Sequence, residues 1–78
     1  MTLADLKTGQ SARIRSIDTT VPGVVRLMVL GLIEDAVVRL ESAAIGGDPI
    51  EISLFGTSVS VRRQHARHFH IETVSADA

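Results

Sequence analysis

The sequence predicts a mostly β domain: a small five-stranded antiparallel barrel with one helix between the first two strands. Three observations predict it. From residue 37 onward, apolar residues recur at every second position, in short runs separated by brief turns. Only residues 20 to 31 change to the helical period. The chain has just 78 residues, and curling so small a sheet into a barrel avoids leaving long edges bare.

"TLADLKTGQ" predicts a short helical turn ending at Gly9, with Leu3 and Leu6 three apart on one face. "SARIRSI" alternates as a half-buried strand, Ala12 and Ile14 inward, Arg13 and Arg15 outward. Thr20 is the expected N-cap of the helix and Pro22 suits its first turn. Val24, Leu27 and Met28 form its apolar stripe. Gly31 stands where a left-handed C-terminal residue belongs, and Leu32 can fold back on Leu27. "AVVRLESA" points Val38 and Leu40 inward, and "AIGGD" is a turn. Pro49 opens the next strand, where a missing N–H does no harm. "PIEISLF" places Ile50, Ile52 and Leu54 inside and Glu51, Ser53 and Phe55 outside. After "GTS", a tight connection, Val59 and Val61 point in. "RQHAR" is a short turn of one helical turn or less. "FHIET" closes with Phe69 and Ile71 in, His70 and Glu72 out. One domain is expected over residues 1–74, with a frayed tail at 75–78.

Composition excludes several function classes. There is no Cys, so neither a disulfide nor a thiolate metal site is available. The net charge of -1 gives no global field toward nucleic acid. The chain lacks Trp and Tyr and has two Phe. It therefore offers neither an aromatic polyproline groove nor a platform for stacked bases. No nucleophile elbow or phosphate loop with a Lys is present, so an enzyme is not expected. The N-terminal "MTLADLKTGQ" places Asp and Lys where a signal peptide needs an apolar core. Val21 to Ile33 is interrupted by Pro22, Gly23 and Arg26, and falls short of the roughly 20 residues of a membrane span. A cytoplasmic protein without direct membrane insertion is expected. At 45% hydrophobic content, some apolar surface should stay outside, favouring a partner or self-association.

Further residues carry a family signature. Leu3, Leu6 and Gly9 open it; "RLMVLGL" (Arg26 to Leu32) and "GDPIEI" (Gly47 to Ile52) follow; Val59, Val61, Arg62, Ala66, Phe69 and Ile71 close it. In order and spacing, over nearly the whole chain, this resembles the ferrous iron transport protein A family, FeoA. The resemblance implies an SH3-like barrel. It implies a small cytoplasmic accessory that docks on and modulates the ferrous iron permease FeoB, whose membrane-bound chain has a cytosolic region. It also implies kinship with the C-terminal domains of iron-dependent repressors, so a stand-alone regulatory domain is the alternative. The family commonly has Pro-Gly after the "LGL" segment, whereas Glu34-Asp35 stand here.

Two sets of site candidates follow. "RRQHARHFH", residues 62 to 70, holds three Arg and every His of the chain. Strand residues two apart share a face at about 6.6–7 Å, so His68, His70 and Glu72 would form an outward row, with His65 nearby in the turn. Imidazole and carboxylate together suit Fe2+ or Zn2+. Three readings stand: a dedicated high-affinity metal site, a weak metal site that two molecules can share in a metal-bridged homo-oligomer, or solvated imidazoles on an edge. Asp48 and Glu51 are the fallback metal ligands. No cofactor is obligatory in either reading. The partner-binding candidates are Val25 and Val29, four apart on the helix and off its apolar stripe, and the outward Phe55.

Overall fold

The computed structural model describes residues 1–74; the expected tail, 75–78, lies outside the described residues. In chain order the elements are a 3-10 turn at Leu3–Asp5, β1 (Ser11–Ile17), α1 (Val24–Val29), β2 (Val37–Ala43), a 3-10 turn at Ile45–Gly47, β3 (Ile50–Leu54), β4 (Thr57–Val61), α2 (Arg63–Ala66) and β5 (Phe69–Val74). The five strands form one antiparallel sheet in the order β4-β3-β2-β1-β5. The mostly β architecture is the predicted one, with α1 between β1 and β2.

Two register shifts bend the sheet. One falls between Ile14 and Ser16 of β1 against β5, the other between Leu40 and Ser42 of β2 against β3. An extra residue on one strand kinks it and increases its twist, so the sheet curls over its apolar face. α2 links the two end strands, β4 and β5, and packs against the Leu3–Asp5 turn. The chain start covers the outer edge of β5: Ile71 donates its N–H to the Met1 carbonyl at 2.9 Å, and Thr2 bridges to His70. A covered edge is a poor template for another strand.

Alternation places the core. Ile14, Leu27, Val38, Leu40, Ile50, Ile52, Val59, Val61, Phe69 and Ile71, the inward residues of the predicted elements, all belong to one buried cluster. Leu3, Leu6, Ala12, Val24, Leu32, Ala36, Leu54 and Ala66 complete it. Burying each large aliphatic or aromatic side chain contributes roughly 1.5–3 kcal/mol.

Local chemistry corrects three boundaries. The first helical turn stops at Asp5 instead of reaching Gly9. The Asp5 carboxylate accepts the Thr2 N–H at 2.8 Å, capping the start of the turn, and Leu6 already takes an extended conformation at ψ 147°, which ends it. The N-cap of α1 is Gly23, at φ 92°, not Thr20. Thr20 is occupied elsewhere: its hydroxyl and N–H both donate to Asp18 Oδ1, at 2.7 and 3.1 Å. Phe55 is not a strand residue. It is the first of two turn residues between the paired Leu54 and Thr57, at φ 50°, with Gly56 following at φ 79°. Positive φ at both positions marks a type I′ hairpin, whose twist matches that of the strands it joins.

The end of α1 is the predicted one. Leu32 N–H bonds the Leu27 carbonyl and Gly31 N–H the Met28 carbonyl, at 3.1 and 3.0 Å, which is the Schellman pattern around a left-handed Gly31. At Glu34-Asp35 the turn survives without Pro-Gly. Ala36 N–H reaches the Ile33 carbonyl at 3.1 Å and Asp35 takes φ 71°. Asp is among the few non-Gly residues that tolerate the left-handed region.

Candidate functional site

The basic stretch 62–70 divides by the element each residue sits on. Val61, Ala66 and Phe69 are buried, as the spacing predicts. Arg63, the first residue of α2, is a latch. Its Nη1 donates to the Ala4 carbonyl at 2.7 Å, its Nε donates to the Gly47 carbonyl, and its N–H donates to Asp48 Oδ1 at 3.0 Å. It thereby ties α2 to the N-terminal turn and to the loop before β3. No local signal in the sequence distinguishes Arg63 from its neighbours, because both acceptor carbonyls come from remote parts of the chain.

The three imidazoles go to different places. His65, on α2, lies over the start of α1: a Cβ added to Gly23 would sit 2.8 Å from His65 Nε2. His68 precedes β5 instead of lying on it. Its Nδ1 is 3.5 Å from Asp18 Oδ2. His70 and Glu72 are exposed on β5, in register with Ser16 and Arg13 of β1. The hydroxyl of Thr20, then its N–H, then His68 hold the Asp18 carboxyl below the ordinary 3.8. The fallback carboxylates are engaged as well: Asp48 at Arg63 N–H, and Glu51 Oε1 accepting the Ser60 hydroxyl across the β3–β4 ladder.

Among the described residues, no three His, Asp or Glu side chains are grouped to hold a metal ion. His65, His68, His70 and Glu72 are therefore not gathered around one point. A tight centre needs converging ligands oriented by their own hydrogen bonds, and the donor set within one molecule does not fit one.

The apolar candidates are all on the surface. Val25, Val29 and Phe55 are 53%, 82% and 84% exposed. Leu30 and Ile33, which the spacing did not single out, are exposed beside them in sequence. α1 and the β3–β4 hairpin meet where Gly31 passes Leu54. A Cβ on Gly31 would lie 2.6 Å from Leu54 Cδ2. Phe55 immediately follows that contact, so the hairpin tip and the end of α1 flank one junction. A bulky aromatic at positive φ is an outlier on local preference alone.

No helix is long and apolar enough to cross a membrane among the described residues.

Comparison with known proteins agrees with this architecture. The model of the FeoA domain matches residues 1–73. The solution structure of FeoA protein from Chlorobium tepidum superposes with a TM-score of 0.86 at 34% identity, covering 100% of this chain and 74% of that one. FeoA from Stenotrophomonas maltophilia, a prokaryotic SH3 domain protein solved in complex with zinc, gives a TM-score of 0.79 at 25% identity over 92% of this chain and 89% of that one. The IdeR of T. acidophilum shares the fold, with a TM-score of 0.81 at 20% identity, over 95% of this chain and 34% of that one. Comparison with curated proteins returned no match. With the family model spanning nearly its whole length and the curled five-stranded sheet common to these structures, the chain belongs to the FeoA family and carries its SH3-like fold.

Proposed function

We propose that this protein is a non-enzymatic accessory of ferrous iron uptake that docks on the cytosolic region of a FeoB-type permease and modulates it. Family membership supports a role in ferrous iron transport or its regulation. The Stenotrophomonas relative is described as a candidate ferrous iron transport activating factor. The observation that carries docking is the exposed apolar set Val25, Val29 and Phe55, with Phe55 held at positive φ on the hairpin tip. Folding gains nothing from exposing these side chains, and strained, exposed aromatics cluster at functional surfaces.

Co-purification with the cytosolic region of the permease tests the reading. Val25→Asp and Phe55→Ala should each fold normally and weaken capture by about tenfold or more, the scale of an interface hot spot. Variants that fold and bind like wild type would move the docking face elsewhere. The alternative, a stand-alone regulatory domain acting on DNA-bound machinery, shares the fold but has no supporting observation beyond it.

Metal enters this reading as a bridge, not as an obligatory cofactor. His70 and Glu72 project from β5 without a third ligand grouped with them in the same molecule. A bound Fe2+ or Zn2+ would then complete its shell from a second copy. Zinc should raise the apparent mass in solution, a chelator should reverse the rise, and His70→Ala should abolish it. A zinc-induced rise that persists in His70→Ala would place the ligands elsewhere.

A further inference from the structure

A groove of about 330 Å³ runs between α1, β4 and α2. Its apolar lining is Leu27 and Leu30 of α1. Its polar lining comes from three elements: Arg26 on α1, Arg62 at the end of β4, and His65 on α2. Gly23 keeps one end narrow, since its bare Cα lets the His65 ring come close. Ser60 also lines the groove but turns its hydroxyl to Glu51 on β3.

The charges in this groove are unbalanced. Among the described residues, Arg15 and Arg39 face carboxylates, and Arg13 and Arg63 donate to backbone carbonyls. Arg26, Arg62 and, outside the groove, Arg67 do neither. No Asp or Glu lines the groove with Arg26 and Arg62. Two guanidiniums beside one cleft repel each other, and an anionic group between them would relieve that repulsion. The Leu27 and Leu30 lining asks for an apolar group beside the anion. The lining holds no Phe, Tyr or Trp, and its one ring, His65, lies close over Gly23, which disfavours a stacked base. β4 is an end strand of the sheet, so an extended segment laid along it can add main-chain hydrogen bonds.

We infer that this groove is a second docking site, distinct from the Val25–Val29–Phe55 surface, for an extended acidic peptide segment of a partner protein. An apolar side chain of the peptide packs on Leu27 and Leu30. Its carboxylates, on either side, meet Arg26 and Arg62. This inference does not depend on the permease reading, because it rests on the groove alone.

The test uses the full chain and a fluorescein-labelled probe peptide, Asp-Glu-Leu-Leu-Glu-Asp-Gly, read by anisotropy and by amide chemical shifts. The peptide should bind weakly. The largest shifts should fall at Gly23, Leu27, Leu30 and Arg62. Raising salt from about 0.05 M to about 0.5 M should weaken binding severalfold through screening. Arg26→Glu combined with Arg62→Glu should weaken it by about tenfold or more, the scale of lost charge pairs at an interface. Both residues are exposed, so this variant should keep the wild-type unfolding midpoint. Phe55→Ala, which adds no charge, should leave peptide binding unchanged, which separates failure here from failure of the permease reading. The inference is overturned by any of three results. The acidic peptide could bind no better than its Lys-substituted counterpart. Inorganic phosphate at equal concentration could displace it and reproduce its shifts, making the groove a small-anion site. Or the protein alone could self-associate through the groove, lost in the double variant, making a second copy the occupant.

Discussion

Phe55 sets local preference against surface function. An ordinary residue pays about 1–2 kcal/mol in the left-handed region, and this one gains little from burial at 84% exposure. Asn-Gly is the preferred pair for a type I′ hairpin. Phe55→Asn should therefore stabilise the fold by about 1 kcal/mol, raising the thermal midpoint by roughly 4–8 °C, while weakening partner capture. An unchanged or lowered midpoint would mean that the ring contributes to folding after all. Asp18 is the second informative residue. Its hydrogen bonds from Thr20 keep its carboxyl below 3.8, so the folded chain binds fewer protons there than the unfolded chain does. The stability this gives is present above that value and is lost as pH falls through the lowered, folded value. Urea unfolding of wild type and Asp18→Ala should show a gap at about pH 6 that closes toward about pH 3. A gap that stays constant with pH would count against this account.

At the scale of elements, the end of α1 is the most constrained point. Gly31 has φ 116°, and its missing Cβ leaves room for Leu54 at the end of β3. Gly31→Ala meets both obstacles and should cost about 1–3 kcal/mol, the range for residues forced into sparse backbone regions. Chemical denaturation measures it. Repeating the substitution in a Leu54→Ala background separates the two causes, since only the steric part should be relieved. A Gly31→Ala variant as stable as wild type would mean that α1 is not anchored on the hairpin in this way. The Schellman ending was legible in the sequence because its pattern is local: an apolar stripe, a Gly, then a Leu. The start of α1 was less legible. Thr20 has the chemistry of an N-cap, and its capture by Asp18 turns on competition between two local hydrogen bonds that composition does not rank.

For the whole molecule, stability rests on one small core. A domain this size has a margin at the low end of about 5–15 kcal/mol. Ile52, fully buried on the central part of β3, should cost about 2–5 kcal/mol when truncated to Ala. That would leave a marginal fold, seen as a large drop in the denaturation midpoint. A loss under about 1 kcal/mol would mean that the site collapses around the smaller side chain instead of leaving a cavity.

Alternation along the chain is enough to assign the buried face of each strand. Ile50, Ile52 and Leu54, then Val59 and Val61, then Phe69 and Ile71 point inward because side-chain direction alternates with the local backbone geometry. The family too is legible in the sequence, since the motif positions are mostly core and turn residues. Which polar groups meet depends instead on long-range packing. The row of His68, His70 and Glu72 assumed one uninterrupted strand, but β5 begins at Phe69 and His68 turns to Asp18. Arg63 finds Ala4 and Gly47, His65 finds Gly23, and Arg26 shares a groove with Arg62. These meetings depend on two bulges, a strand order and a two-residue turn that bring distant segments together. Alternation along a strand carries no information about which remote segment lies across from it.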